Sequence, residues 1–332
     1  MTSRALFFLE PFRLEIRETG LPPPAEGEVL IEAEVSAISA GTESLFFSGN
    51  QARTMSLDSS LPSLEGSTDY PLSYGYSLAG RIIATGPGVD TSLASRKAFA
   101  FHPHATHALV RLEDTVVLPE SVDLSDAVFF PTMETAVNLV MDGEPVIGER
   151  VAVMGLGLVG LLTGALLARF PLAGLHGIDT SASRRKAAGE LGFGLCHGSA
   201  DEAMRAAGPE GMDLTYELTG NPAALDPALS LCGFGSRLCI GSWYGTKTHP
   251  VSLGGAFHRN RVRLFSSQVS TVAPALSGRW TKSRRADTAW KEINRLKPRR
   301  LISHRFPLDR CTEAYTLIHE RPDDLFQVVF TY

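Results

Sequence analysis

The chain has no apolar run of the ~20 residues that a helix needs to cross a bilayer. The nearest, residues 151–168, is interrupted by glycines. The N-terminus, MTSRALFFLE, meets charge early and has no long apolar core, so it reads as a first strand and not as a secretion signal. Cysteine is scarce. Only Cys196, Cys232, Cys239 and Cys311 occur, and none has metal-ligand spacing. Cys232 and Cys239 look like positions on or near a buried strand, and free core thiols suit a reducing compartment. A cytoplasmic protein without a membrane partner is expected. A strong charge of either sign is also missing. Lys and Arg number 31 against 36 Asp and Glu, a net charge of -5, which argues against a nucleic-acid partner. Three short basic runs, Arg184-Arg185-Lys186, Lys282-Ser283-Arg284-Arg285 and Lys297-Pro298-Arg299-Arg300, read as solvated helix faces and loop ends. No internal repeat or low-complexity segment is present.

What is there is an ordinary globular composition, 44% hydrophobic and 20% charged over 332 residues, enough for two domains. One stretch stands out. Val151-Ala152-Val153-Met154 suits a buried parallel strand and runs into Gly155-Leu156-Gly157-Leu158-Val159-Gly160. A helical segment, residues 161–169, and a second apolar run, residues 175–178, follow and end in Asp179. Each part has a role in holding a dinucleotide. Gly155 permits the tight turn, Gly157 lets the backbone approach a pyrophosphate, and Gly160 lets helix pack on strand. The helix start at Leu158 and Val159 offers N–H groups and a positive dipole end to phosphate. Asp179, about 20 residues beyond the turn, can accept the ribose hydroxyls. Its charge would repel a 2′-phosphate, so NAD(H) is expected in preference to NADP(H). Arg184 and Arg185 leave NADP(H) open, since either could reach a phosphate if Asp179 turned away.

The first third reads as β-rich, with strands at residues 29–35, 78–86, 97–101 and 107–112. The long polar loop 48–69 is a candidate lid. From about Asp123 helix and strand alternate, as in a doubly wound parallel sheet. A helix is expected over 124–141, broken near Pro131. Further strands are expected at 212–218, 237–241 and 326–331, and helices at 286–296 and 312–319.

This order of elements resembles the medium-chain dehydrogenase/reductase superfamily over nearly the whole chain. Ser36-Ala37-Ile38-Ser39-Ala40-Gly41-Thr42-Glu43 looks like the segment holding the catalytic cysteine of zinc members. Gly75-Tyr76-Ser77-Leu78-Ala79-Gly80 looks like that family's Gly-His-Glu-x-x-Gly motif, and residues 301–308 with Glu313-Ala314-Tyr315 look like its C-terminal return. The resemblance implies an α/β protein: a GroES-like β-rich catalytic domain, residues 1–133 and 268–332, and a Rossmann domain, residues 134–267. It implies a dimer or tetramer, a small-molecule substrate and a site in the cleft between domains. The departures imply more. Ser39 or Ala40 stands at the cysteine position, Tyr76 and Ser77 at the histidine and glutamate positions, and Pro131-Thr132 near the remaining ligand; no cysteine precedes Cys196. None of these is a zinc ligand set, so a protein without zinc is expected. The Ile-Ser-x-Gly-Thr-Glu and Gly-Tyr-x-x-x-Gly pattern is similar to the branch containing bacteriochlorophyllide a dehydrogenase, which oxidises a hydroxyethyl side chain.

Hydride transfer without a metal needs hydrogen-bond donors at the substrate oxygen and a route for a proton. The resemblance places Tyr76 facing the pocket, as an acid or oxyanion donor; its alternative is a half-buried strand residue. Thr42 matches a proton-relaying hydroxyl, or stabilises the turn at Gly41. Glu43 would hold an arginine or support a neighbouring site residue. His102 or His104, in Phe101-His102-Pro103-His104-Ala105-Thr106-His107, could shuttle a proton or be a satisfied loop histidine. Glu134 is a general base or a helix-start carboxylate, and it and Thr135 would lie beside the nicotinamide. The expected activity is interconversion of a secondary alcohol and a ketone. The rivals are an NADPH-dependent quinone or enone reductase, a nucleotide-binding protein without redox activity, and a redox-neutral enzyme using NAD transiently.

Overall fold

The computed structural model describes residues 1–51 and 68–332, so most of the candidate lid, residues 52–67, lies outside the described residues. Two compact units form: Met1–Pro131 with Glu292–Tyr332, and Thr132–Lys291. Residues 268–291, expected with the β-rich part, group with the second unit.

The first unit opens with the antiparallel pair β1 (Thr2–Glu10) and β2 (Arg13–Gly20). Then come β3 (Glu28–Ala37), α1 (Glu43–Ser48), β4 (Leu78–Thr85), β5 (Lys97–Ala100), β6 (His107–Arg111), β7 (Thr115–Val117) and α2 (Leu124–Ala127). Val29, Ile31 and Ala33 alternate along β3 and pack with Leu78, Ile82 and Ala98 in one core. The helical stretch expected over 124–141, with its break near Pro131, forms as two helices, α2 and α3 (Phe130–Gly143). The break precedes Pro131, which sits in the first turn of α3, where the N–H it lacks would have had no intrahelical partner.

The second unit continues with β8 (Arg150–Met154), α4 (Leu158–Leu167), β9 (Gly174–Ile178), α5 (Ala182–Glu190), β10 (Leu195–His197), α6 (Ala200–Ala207), β11 (Met212–Glu217), α7 (Leu225–Leu231), β12 (Cys232–Ile240), β13 (Arg263–Ser266) and the first part of α8 (Lys282–Leu296), whose residues from Glu292 on belong to the first unit. Its six strands lie in the order β10-β9-β8-β11-β12-β13, every pair parallel. In chain order this is 3-2-1-4-5-6, the doubly wound dinucleotide-binding topology, whose direction reverses between β8 and β11. Residues Val151 to Val153 are wholly buried because helices cover both faces, which is why β8 reads as an unbroken apolar run.

The chain then returns through β14 (Ile302–Pro307), α9 (Cys311–Glu320) and β15 (Gln327–Thr331). These complete a seven-stranded sheet, β14-β15-β3-β4-β5-β7, with β6 on β3. A second core joins Leu6, Phe8, Ile38, Phe46, Tyr74, Tyr315 and Phe330. Cys232, Cys239 and Cys311 are buried free thiols. Among the described residues no helix is long and apolar enough to cross a membrane.

Candidate active site

The glycine turn sits at the carboxyl end of β8, beside the reversal point. Gly155 adopts φ +94, and a Cβ there would come 2.6 Å from the carbonyl carbon of Leu218, just beyond β11. A Cβ on Gly160 would lie 1.9 Å from the Gly155 carbonyl oxygen, so α4 can approach its own turn only without a side chain. Gly157 differs. A Cβ there meets nothing within 4 Å, which leaves the helix start open on the side where a phosphate would bind. Leu158 and Val159 open α4 and are half-buried.

Asp179 follows β9 and is tied down on both oxygens. Oδ2 accepts the Leu156 amide at 2.8 Å and Oδ1 accepts the Ser181 amide at 2.9 Å. Arg184 Nη1 lies 3.8 Å from Oδ2, while Arg185 donates to the carbonyls of Asp179 and Thr180. A cavity of about 320 Å³ is lined by Met154, Ile178, Asp179, Thr180, Ser199 and Pro227, among others. It lies off the carboxyl ends of β8 and β9, where open α/β sheets bind ligands.

Two groups along the same edge escaped the sequence reading. Glu217, the last residue of β11, is wholly buried. It accepts the Thr219 amide at 2.8 Å and the hydroxyls of Thr219 and Tyr244. Burial and this carboxylate push the Tyr244 phenol well above the ordinary tyrosine range. Arg285 is 1% exposed, although its basic run reads as a solvated helix face. It donates to Glu134 Oε1 from Nε at 3.2 Å and Nη2 at 3.0 Å, to Asn138 at 2.6 Å, and to the carbonyls of Val269 and Thr271. Glu134 is therefore one half of an ion pair. Burial raises its pKa, opposed by Arg285. Thr135 follows it on α3, half-buried.

In the first unit Glu43 and His104 meet. His104 is wholly buried. Its Nε2 donates to Glu43 Oε2 at 2.9 Å, since a carboxylate can only accept. Its Nδ1 lies 2.6 Å from Ser36 Oγ, which is 2.7 Å from the Tyr332 hydroxyl. Glu43 also accepts the Ser39 amide at 2.7 Å and the Tyr315 hydroxyl. Burial, and then Glu43, hold the Tyr315 phenol well above the ordinary range. So, among the described residues, Glu43 supports a histidine and a tyrosine. Of the two readings of His104, proton shuttle or satisfied loop histidine, its burial and its two side-chain partners favour the second. His102 is half-buried, with Nδ1 2.8 Å from the Pro103 carbonyl, and burial holds its pKa below the usual imidazole value. Thr42 caps α1 without a side-chain cap bond and is half-buried. Tyr76 is half-buried against the second core, edge-on to Tyr74 at 6.1 Å.

The positions the resemblance assigns to zinc do not fit that ion. Ser77 donates to the Val128 carbonyl at 2.6 Å, and among the described residues no group of three or more His, Cys, Asp or Glu could hold a metal.

No protein-family model matches the chain. It is 24% identical to the uncharacterized zinc-type alcohol dehydrogenase-like protein YphC of Escherichia coli (strain K12), over 92% of each chain. It is 23% identical to D-guloside 3-dehydrogenase of the same strain, over 65% of this chain and 64% of that one. Among solved structures it is similar to a short chain alcohol dehydrogenase from E. coli CFT073 complexed with the cofactor NADH. The TM-score is 0.79 at 19% identity, over 100% of this chain and 99% of that one. The fold is that of the medium-chain alcohol dehydrogenases. These comparisons also correct the expectation of a zinc-free protein. A relative spanning nearly the whole chain is of zinc type, so the ligand positions alone do not establish that zinc is absent.

Proposed function

We propose that the protein is an NAD(P)(H)-linked oxidoreductase that interconverts a secondary alcohol and a ketone. The carrying observation is the reversal point of the parallel sheet. There Gly155, Gly157 and Gly160 each meet the steric demand of a dinucleotide turn, and Asp179 borders a cavity off the strand ends. The similarity to D-guloside 3-dehydrogenase supports a hydroxyl on a sugar-like or polyol carbon as the reacting group.

Oxidation of a secondary alcohol needs an acceptor for the hydride of the carbinol carbon and an exit to solvent for the hydroxyl proton. The dinucleotide, when bound, supplies the hydride acceptor. Gly157 and the start of α4 would hold its pyrophosphate, and Asp179 its ribose. Arg285, through Glu134 and the carbonyls of Val269 and Thr271, fixes the segment after β13 on the same edge. Tyr76 and Thr42 supply hydroxyls to the substrate oxygen, the phenol stabilising developing negative charge. Edge strand β13, with Leu264 exposed, supports a homodimer or homotetramer formed by strand pairing; a monomer in sedimentation would exclude it.

The test is a fluorescence titration with NADH and with NADPH, followed by a screen of polyols and sugar glycosides with the oxidised cofactor. Binding plus turnover of a secondary alcohol supports the reading. Turnover confined to enones or quinones moves the chemistry to alkene reduction. Binding without turnover on either class favours a nucleotide-binding role.

A further inference from the structure

We propose that Glu43 and His104 form a positioning pair that sets Thr42 and Tyr76 relative to each other, with neither member touching substrate. The inference rests on the proposed roles of Thr42 and Tyr76. Three observations carry it, all within the first unit. The Nε2 edge of His104 donates to Glu43, the residue after Thr42. The same edge lies under Gly75, the residue before Tyr76: a Cβ on Gly75 would come 2.8 Å from Cδ2 and 2.9 Å from Nε2 of His104. Gly75 holds φ +130, a conformation that other residues rarely adopt, so the close approach and the backbone shape select glycine together. One side chain therefore holds the Glu43 carboxylate that closes the first turn and lies against the Gly75 backbone of the second.

The surroundings make the contact rigid. The far nitrogen of His104 meets Ser36 on β3, and its ring lies edge-on to Phe330 on β15 at 5.1 Å. Glu43 closes the 39–43 turn by accepting the Ser39 amide and is held from α9 by Tyr315. A carboxylate buried this deeply is tolerable only with its acceptor sites filled. Ser39, His104 and Tyr315 fill them from three separate parts of the chain. A shift of His104 would move both turns, and a misplacement of about 1 Å at a reacting group costs on the order of 100-fold in rate.

The experiment compares the full-length protein with His104→Leu and His104→Gln by hydrogen exchange, cofactor affinity and steady-state kinetics. Gln can place a donor near the Nε2 position; Leu cannot. His104→Leu is expected to raise exchange in residues 39–46 and 74–78 together. It should lower kcat about 100-fold and leave the Kd for NADH unchanged. His104→Gln should restore protection of both segments and most of kcat. Loosening of only one segment, or a folded His104→Leu with unchanged kcat, overturns the proposal. If the wild type turns over no alcohol, the oxidoreductase reading fails, and exchange in the two segments alone decides the positioning. If His104→Leu does not fold, Glu43→Gln is read in its place by the same criteria.

Discussion

The carboxylate of Asp179 accepts the amide proton of Leu156 at 2.8 Å, which ties the end of β9 to the glycine turn after β8. One residue thus shapes the turn and borders the cavity. Asp179→Asn keeps the size but removes the charge and one acceptor. Affinity for NADH is expected to fall at least about 10-fold, a loss of ~1.4 kcal/mol, with a smaller loss of stability. A fluorescence titration beside a thermal melt reads both, and an unchanged Kd removes Asp179 from the nucleotide site.

Gly157 and Gly160 separate binding from folding. A methyl at Gly160 collides with the Gly155 carbonyl, so Gly160→Ala should destabilise the unit by about 2–4 kcal/mol. A methyl at Gly157 meets open space in the free protein and should leave the melting temperature within about a degree, since surface changes of this kind cost under ~0.5 kcal/mol. It should still abolish tight dinucleotide binding, because the pyrophosphate needs that space. Equal melting temperatures for the two variants would contradict the packing argument.

Removing Arg285 leaves the half-buried Glu134 without its ion-pair partner. Arg285→Met is expected to cost about 3–5 kcal/mol in denaturant unfolding. Arg285→Lys should recover only part, because an ammonium cannot reproduce a fork that reaches Glu134, Asn138 and two carbonyls. Full recovery by Lys would mean that charge alone is required there.

Acid should weaken the second unit through His176. This residue is buried against His197, Nδ1 to Nε2 3.1 Å, and burial followed by its neighbour's charge pushes its pKa down to about 4 from 6.5. Between these values the unfolded chain binds more protons than the folded one. Stability is therefore fully present above about 6.5 and is lost as pH falls toward 4. Melting temperature measured across that window should drop, and His176→Leu should flatten the slope. A slope unchanged in the variant would assign the acid sensitivity to other groups.

The strands that could be read in advance, such as β3 and β8, bury whole faces and so carry period-two or continuous apolar patterns. Those that could not, β2, β7, β10, β13 and β14, bury no residue fully, and half-exposed strands leave no periodic signature. Arg285 shows the same limit at the level of one side chain. In sequence it is the last of a basic run, and only the helical turn of α8 separates it from its solvated neighbours and aims it at Glu134.

By itself the sequence determined the dinucleotide turn. Its requirements are local: glycines at fixed offsets between a strand and a helix, and a carboxylate one strand later. Only the tertiary structure decided what surrounds Thr42 and Tyr76. Glu43, His104, Ser36 and Tyr315 lie far apart in the chain, Glu43 and Tyr315 by 272 residues, and meet because α9 and β15 return to the first sheet. A buried carboxylate takes whatever donors the packing brings to it, and no local pattern encodes which they will be.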